Sequence, residues 1–350
     1  MNDHILVTGG AGCIGSDLAA ALLERGDRVT VIDNLGSGKY EHIEALLPLP
    51  GFRFIEGDLL DPAALETAME GVSMVCHLAA NPDVKFIPGD PTDKDLQQNT
   101  ICTYLVLESM RRHGVHRLVF SSTSAIYGIS ERQPIPEDQP PRPISLYGAT
   151  KLSCEAMIGA FQHLFGLDCW IFRFANIVGP KVRKRGRTVI GDFIHNLQRD
   201  PTRLRILGNG KQAKSYLLSE ECVEAMLFAV DHTDESPSPP RPLAPSPARP
   251  LAPSPPRPLA SPHLFNLGCD DSLSVERIAG MVSAAMGLSH VAYEFTGGEG
   301  GWLGDVPRFR LDVTAINQLG WRARYNSEEA VALAIDATLA NAPRLAACKL

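Results

Sequence analysis

A glycine turn between an apolar strand and a helix, close to the start of the 350-residue chain, constrains the fold most strongly. Residues 5–8 form a short apolar, β-branched run, and Gly9, Gly12 and Gly15 follow it in the sequence TGGAGCIG. The next segment, SDLAAALLERG, has apolar residues at helical spacing. Glycines at such a turn let the backbone approach a pyrophosphate, and the N-terminus of the following helix offers it free N–H groups. The sequence therefore predicts a dinucleotide-binding unit.

An acidic residue ends the second predicted strand. This strand covers residues 28–32, and Asp33 follows it directly. A carboxylate at this distance from the glycine turn accepts hydrogen bonds from the adenosine ribose and repels a 2′-phosphate. We therefore expect NAD rather than NADP as the cofactor.

Strands continue to alternate with helices after this point. Such alternation predicts a parallel, doubly wound sheet with ligands at the carboxyl ends of its strands. Later in the chain we expect a helix over 219–232 with Ser219 as its N-cap. The predicted strands of the first half cover 52–55, 74–78, 117–121 and 168–174, and the predicted helices include one that starts at Asp61-Pro62, 93–113 and 145–165.

A tyrosine and a lysine lie four residues apart at the start of the predicted helix 145–165. This spacing puts Tyr147 and Lys151 on one helix face, one turn apart. An ammonium beside a phenol lowers the pKa of the phenol, so Tyr147 becomes a candidate base near neutral pH. The preceding segment, SSTSAIYG at 121–128, is predicted to leave the fifth strand as a polar loop.

Composition excludes several classes of function. The net charge of −7 argues against a general nucleic-acid binder. The chain has no apolar run near the roughly 20 residues that span a bilayer, so we expect no membrane partner. The segment MNDHILVTGG matches neither a signal peptide nor a transit peptide. The 8 cysteines are scattered, without metal-binding spacing, which predicts reduced thiols in a cytoplasmic protein and no metal site.

Many motifs in order make the chain resemble the extended short-chain dehydrogenases/reductases of the nucleotide-sugar epimerase and dehydratase group. The resemblance covers nearly the whole chain, and it is more specific for the superfamily than for the reaction. It implies NAD as cofactor, a UDP-sugar as substrate, and a homodimer formed by the helices at 93–113 and 145–165. The motifs are TGGAGCIG, Asp33-Asn34, Gly57-Asp58-Leu59, His77-Leu78-Ala79-Ala80, Asn99, SST, YGATK, RFANIVGP, Gly-Asn-Gly-Lys-Gln at 208–212 and Leu319-Gly320-Trp321.

The resemblance also implies roles for individual residues. Tyr147 is the expected base, Lys151 lowers its pKa and holds the nicotinamide ribose, and Thr123 hydrogen-bonds the sugar hydroxyl. The implied cofactor residues are Gly9, Gly12, Cys13, Ile14, Gly15, Asp33, Asn34, Ser37, Gly38, Asp58, Leu59, Leu78, Ala79, Ala80, Asn99, Ser121, Ser122, Tyr147, Lys151 and Phe174. The implied substrate residues are Lys85, Thr123, Ser124, Tyr147, Asn176, Arg185, Val189, Gly208, Gln212, Lys214 and Arg308.

Two positions depart from the family pattern. Lys214 stands where many relatives have Arg, which replaces a bidentate phosphate clamp with a point charge. Trp302 stands where many relatives place a phosphate-binding Arg. Another cation, Arg308 or one of the basic residues at 181–187, is expected to substitute for that Arg. The basic residues at 181–187, including Lys181 and Arg185, are either a solvated loop or an anion site.

The residues after Thr123 discriminate between reactions. Family dehydratases carry an acidic pair there and decarboxylating relatives a Glu, whereas this chain has Ser124 and Ala125. The resemblance then implies oxidation and re-reduction at one carbon, as in a UDP-sugar 4-epimerase. The basic residues favour UDP-glucuronate over UDP-glucose. Open alternatives are a UDP-glucose or UDP-N-acetylglucosamine 4-epimerase, another nucleotide-sugar oxidoreductase or dehydratase, and a non-catalytic NAD-dependent binding protein.

The expected fold class is α/β, a Rossmann-type doubly wound parallel sheet with a smaller α/β substrate-binding domain at the C-terminal side. A Pro-rich insertion over 236–262 repeats RPLAPSP at Arg241 and Arg249; it cannot bury a core, so we expect an extended or disordered surface segment. The NAD-binding domain is predicted over 1–175, joined by 213–235 and 263–268, and the nucleotide-sugar domain over 176–212 and 269–350.

Overall fold

The structure, a computed structural model, describes residues 3–85, 89–181, 188–234 and 262–340. Residues 236–261 of the Pro-rich insertion and Arg185 lie outside these residues. Fourteen strands occur in the described part of the chain: β1 His4–Thr8, β2 Arg28–Asp33, β3 Phe52–Glu56, β4 Met74–His77, β5 Arg117–Thr123, β6 Asp168–Phe174, β7 Asn176–Val178, β8 Arg203–Ile206, β9 Ala213–Lys214, β10 Tyr216–Leu218, β11 His263–Leu267, β12 Leu273–Ser274, β13 Ala292–Phe295 and β14 Arg308–Phe309.

The α-helices within the same ranges number nine. Shorter elements lie between them: 3₁₀ turns at Tyr40–His42, Glu44–Leu46 and Ser124–Tyr127, and a π-helix at Leu96–Ile101. The α-helices are α1 Cys13–Glu24, α2 Pro62–Met69, α3 Cys102–His113, α4 Leu146–Phe165, α5 Val189–Arg199, α6 Ser219–Thr233, α7 Val275–Ala285, α8 Thr314–Leu319 and α9 Ser327–Ala340.

The central sheet confirms the predicted doubly wound arrangement. Seven of the described strands form it, in the order β3-β2-β1-β4-β5-β6-β11, and every neighbouring pair is parallel. The chain runs outward from β1 in one direction to β3 and then in the other direction from β4. This reversal between β1 and β4 opens a crevice at the carboxyl ends of the strands, where ligands bind in such sheets.

Helices cover both faces of the sheet. One apolar cluster packs Leu18 and Leu22 of α1 with Met226 of α6 against the sheet. The opposite face packs α2, α3 and α4, with Val106 and Ile158 among the buried residues. A separate cluster joins α5, α7 and α9 to β8 and β10, and it forms the smaller C-terminal layer. The exact domain boundaries stay a prediction.

Three local predictions need correction. The predicted helix 93–113 is a π-helix over 96–101 continued by α3, so Asn99 lies in a wider helical turn. Ser121 to Thr123 belong to β5, because they pair with residues 172–174 of β6. The rest of the predicted polar loop begins with a 3₁₀ turn over Ser124–Tyr127. Ser219 is the first residue of α6 and not its N-cap, because the extended N-cap residue is Leu218; the Ser219 hydroxyl donates to Asp17 at 2.7 Å.

None of the helices in the described ranges is long and apolar enough to cross a membrane. In the same ranges, no group of three or more His, Cys, Asp or Glu residues has the arrangement of a metal site.

Candidate active site

A cavity of about 660 Å³ lies along the carboxyl ends of the central strands. This volume falls within the roughly 300–1,000 Å³ of small-molecule sites. Thr123 and Asn176 lie on its wall together with every predicted cofactor residue except Asn99. Those wall residues are Gly9, Gly12, Cys13, Ile14, Gly15, Asp33, Asn34, Ser37, Gly38, Asp58, Leu59, Leu78, Ala79, Ala80, Ser121, Ser122, Tyr147, Lys151 and Phe174.

The glycine loop between β1 and α1 fits a pyrophosphate. Gly9 has φ +69°, and a Cβ there would lie 2.7 Å from the Cα of Ala79. A Cβ on Gly15 would lie 2.3 Å from the carbonyl oxygen of Gly9. Gly12 is the N-cap of α1 and has no side chain to occupy the first free N–H groups. The backbone therefore packs as closely as a phosphate-binding helix N-terminus requires.

Asp33, the predicted adenosine-ribose residue at the end of β2, braces the glycine loop. Its carboxylate accepts hydrogen bonds from the N–H of Ala11 at 3.0 Å and of Leu35 at 2.8 Å. Burial raises the pKa of this carboxyl group, against those two hydrogen bonds. The Asn34 amide donates to Asp58 at 2.9 Å, which joins the second and third predicted adenosine residues.

The predicted catalytic residues meet at the end of β5 and the start of α4. The side chains of Thr123 and Tyr147 are hydrogen-bonded to each other. Lys151 is buried and donates from Nζ to the carbonyl oxygen of Ser121 at 2.7 Å, with the Phe120 ring centroid 4.7 Å from its ammonium. The α4 helix begins where it does because the Ser145 hydroxyl accepts from the N–H of Gly148 at 3.1 Å.

The electrostatics of this group differ from the sequence prediction. Burial raises the pKa of Tyr147 to about 12, although the hydrogen bond with Thr123 lowers it. Burial also lowers the pKa of Lys151 to about 8. The predicted lowering of the Tyr147 pKa is therefore wrong for the polypeptide alone, because desolvation outweighs any nearby positive charge.

Asn99 is the one predicted cofactor residue that does not line the cavity, and its contact with the cofactor stays a prediction. The side chain is buried, and its Oδ1 accepts from the N–H of Asn81 at 2.8 Å. Its Nδ2 donates to the Thr150 hydroxyl at 2.9 Å. Asn99 thus ties Asn81, which is a wall residue, to the helix that carries Tyr147 and Lys151.

Sequence reasoning missed the role of Lys181. This side chain lines the cavity and donates to Ser16 at 3.0 Å, and its ammonium pairs with Asp17 at 2.6 Å. It therefore joins the RFANIVGP segment to α1. The basic run that starts at Lys181 was the available signal, but its acidic partner is distant in sequence.

The predicted substrate residues divide into two groups. Thr123, Tyr147 and Asn176 line the cavity. Lys214 instead forms an ion pair with Asp305 at 2.6 Å, and its ammonium lies 5.0 Å from the Trp302 ring centroid. Among the described residues, the other predicted substrate residues that lie off the cavity wall are Lys85, Ser124, Val189, Gly208, Gln212 and Arg308.

Comparison with known proteins agrees with this geometry. Residues 5–241 match the model of the NAD dependent epimerase/dehydratase family. The chain belongs to the NAD-dependent epimerase/dehydratase family. Family membership confirms the predicted enzyme class and NAD as the cofactor. That the glycine loop and Asp33 hold this cofactor stays a prediction.

Individual relatives of this epimerase/dehydratase family carry UDP-sugar names. A UDP-glucose 4-epimerase of Corynebacterium glutamicum is 40% identical over 178 residues, which span 50% of this chain and only 51% of that relative. A crystal structure of UDP-galactose 4-epimerase has a TM-score of 0.79 and 35% identity, over 97% of this chain and 99% of that one. MoeE5, solved with NAD and either UDP-glucuronic acid or UDP-glucose, is 27% identical over the same shares, with TM-scores of 0.76 and 0.77.

Proposed function

We propose that this protein is a UDP-sugar 4-epimerase that oxidises C4 of the sugar and then reduces it from the other face. The observation that carries the proposal is the hydrogen-bonded pair Thr123 and Tyr147 on the wall of the cavity, with no carboxylate at Ser124 or Ala125. NAD, when bound, accepts a hydride and returns it.

The chain's own residues hold and move the proton. Tyr147 takes the proton of the C4 hydroxyl, and the Thr123 hydroxyl holds the oxygen that loses it. The 4-keto sugar then turns over in the cavity, and Tyr147 returns the proton. Because burial, the largest influence, raises the pKa of Tyr147 to about 12 despite the hydrogen bond with Thr123, the phenolate requires added positive charge. Oxidised nicotinamide carries such a charge.

The reactions that compete with epimerisation need groups that the catalytic segment lacks. Elimination of water across C5 and C6 needs an acid and a base beside Thr123, but Ser124 and Ala125 begin a 3₁₀ turn there. Net oxidation would release reduced cofactor, whereas epimerisation regenerates the oxidised form in each cycle. Product analysis with NAD below the enzyme concentration separates the two. Turnover far beyond one per NAD supports epimerisation, and one oxidised product per NAD contradicts it.

For the sugar, we infer a preference for UDP-glucuronate over UDP-glucose. The basis is the excess of basic residues at 181–187 in a chain of net charge −7. Lys181 is paired with Asp17, so the remaining basic residues of this run, which lie outside the described residues, would have to recognise the carboxylate. MoeE5 has been solved with either nucleotide sugar, so that similarity does not discriminate.

The substrate test uses both UDP-sugars with wild type and Arg185→Ala. We expect a higher kcat/KM for UDP-glucuronate in wild type, and a selective loss of that substrate in Arg185→Ala. Equal loss of both substrates would assign Arg185 to the phosphates. Faster turnover of UDP-glucose by wild type would contradict the preference. Tyr147→Phe should abolish turnover of both.

We also propose a homodimer that buries residues of α3 and α4. Tyr104 on α3 is 45% exposed in the single chain, and Leu164 and Phe165 at the end of α4 are 67% and 42% exposed. A contiguous patch of exposed apolar side chains marks an interaction site, and the proposal takes these three side chains as part of one such patch. Light scattering should give twice the chain mass for wild type, and a Tyr104→Glu, Leu164→Glu variant should give a monomer. A monomeric wild type would contradict the proposal.

A further inference from the structure

A buried carboxylate lies directly behind the catalytic segment. Glu155 is on α4, one turn beyond Lys151, and its side chain is 9% exposed. It accepts a hydrogen bond from the Ser122 hydroxyl. Ser122 lies between Ser121, whose carbonyl oxygen holds Lys151, and Thr123, which is bonded to Tyr147. One carboxylate therefore holds the short stretch of β5 that contacts both predicted catalytic partners.

Arg173 of β6 clamps this carboxylate. Its Nε and Nη2 donate to the two oxygens of Glu155 at 3.1 and 2.7 Å. In the sheet, Arg173 is the direct neighbour of Ser122. Its Nη1 donates to the hydroxyl of Tyr127 and to the carbonyl oxygen of Glu137, both at 2.8 Å. The planar guanidinium fork suits this fixed set of acceptors, which an ammonium group does not match.

Tyr127 extends the network toward the C-terminal part of the chain. Its hydroxyl donates to Oδ1 of Asn266 at 2.8 Å. The Asn266 amide donates to the carbonyl oxygens of Ile135 at 3.0 Å and Asp312 at 3.1 Å. Ile135 forms a β-bridge with Leu311. Leu311 lies two residues after the end of β14, which pairs with β9 at Lys214. Hydrogen bonds thus connect the end of β5 with the strands that carry predicted substrate residues.

The desolvation cost of burying this ion pair argues for a positioning role over a stabilising one. Glu155 and Arg173 are both nearly fully buried, with 9% and 7% of their side chains exposed. Burying an ion pair removes solvation that its attraction only partly returns, so an apolar pair is often as stable. Buried polar networks instead fix one geometry when all their groups are satisfied.

We propose that Glu155 and Arg173, linked through Tyr127 to Asn266, are positioning residues that hold Ser121–Thr123 in register with Tyr147 and Lys151. They do not touch the reacting atoms. Their effect on turnover rests on the proposed function, whereas their effect on the order of β5 does not.

The first test is Tyr127→Phe, which removes one hydroxyl and leaves the Glu155–Arg173 pair in place. We expect kcat to fall about tenfold, with KM and NAD affinity within about twofold of wild type. The matched control is Tyr293→Phe, which removes a hydroxyl bonded to Ser283 outside the network and should leave kcat within about twofold. A Tyr127→Phe variant that is less heat-stable but retains full kcat below its melting temperature would overturn the proposal.

A double-mutant cycle tests whether Glu155 acts through Ser122. Ser122→Ala and Glu155→Gln should each lower kcat, and the double variant should be no worse than Glu155→Gln. Independent, multiplicative losses would overturn the link. Should Glu155→Gln fail to fold, Tyr127→Phe still decides the proposal.

Hydrogen–deuterium exchange gives a readout independent of turnover. In NAD-free protein, Tyr127→Phe should speed exchange of the amides at 121–125 about tenfold, with α5 unchanged and Tyr293→Phe like wild type. Unchanged protection would overturn the positioning role. A wild type without epimerase activity but with this exchange pattern would instead contradict only the proposed function.

Discussion

The Lys151 ammonium donates a 2.7 Å hydrogen bond to the carbonyl oxygen of Ser121. This partner is neutral, so it does not cancel the buried charge. Burial lowers the pKa of Lys151 to about 8, although Cys154 and Glu155 raise it. The fold therefore holds a lysine that is easier to deprotonate than one in water.

Lys151→Met is expected to stabilise the NAD-free protein at pH 7 while abolishing epimerisation. Because the folded-state pKa of about 8 lies below the ordinary 10.5, the unfolded chain binds the proton more tightly. Lys151 therefore lowers the free energy of unfolding, fully below pH 8 and progressively less as the pH rises toward 10.5. After the lost hydrogen bond to Ser121 is subtracted, the substitution should raise the free energy of unfolding at pH 7 by about 2 kcal/mol. Urea unfolding at pH 7 and pH 10 measures this difference in stability between the variant and wild type. The difference should be smaller at pH 10, and a larger one there would contradict the account.

NAD is expected to lower the pKa of Tyr147 from its value of about 12 in the polypeptide. The positive charge of oxidised nicotinamide favours the phenolate. Ultraviolet difference titration of wild type against Tyr147→Phe, from pH 7 to 10.5, isolates this one phenol. We expect an additional ionisation only in the presence of saturating NAD. The same titration with and without NAD would show that the cofactor does not activate Tyr147.

Gly15→Ala should weaken NAD binding more than tenfold. The added Cβ would lie 2.3 Å from the carbonyl oxygen of Gly9, so the loop must shift away from its phosphate-binding geometry. Gly159→Ala is the matched control, since nothing lies within 4 Å of a Cβ there in α4. The control should keep NAD affinity and gain about 0.5–1 kcal/mol of stability. Fluorescence titration with NAD measures both variants, and equal affinities would refute the close packing of the loop.

Asp305→Asn is expected to destabilise the protein by about 2–4 kcal/mol. It leaves the ammonium of Lys214, whose side chain is only 13% exposed, without its counter-charge. The matched control is Asp138→Asn, whose partner Arg132 is 58% exposed, so its pair is worth less than about 1 kcal/mol. Denaturant unfolding compares the two. Similar small losses would mean that Lys214 does not depend on Asp305.

Local spacing accounts for what the sequence could predict. The glycine loop, Asp33 and the Tyr147–Lys151 pair each lie within one or two adjacent elements, where short-range geometry decides the arrangement. The alternation of strands and helices was enough to predict the parallel sheet.

Contacts between distant segments account for what it could not. Lys214 was predicted to bind a substrate phosphate, but it pairs with Asp305. The two residues are 91 positions apart, so motif spacing could not reveal this ion pair. Ser219 and Asp17 are 202 residues apart, so the hydrogen bond that Ser219 makes in place of the predicted capping is not visible from local sequence either. The raised pKa of Tyr147 follows from burial by several elements, and burial of that kind depends on the complete fold.

Isotope retention at C4 tests the central claim most directly. UDP-glucuronate and UDP-glucose labelled with deuterium at C4 are incubated with the NAD-loaded enzyme, and the epimer is analysed by mass spectrometry and NMR. Oxidation and re-reduction at one carbon predicts that the deuterium stays on C4 of the inverted product, with no uptake of solvent hydrogen there. Loss of the label to water, or a dehydrated or permanently oxidised product, would contradict the account.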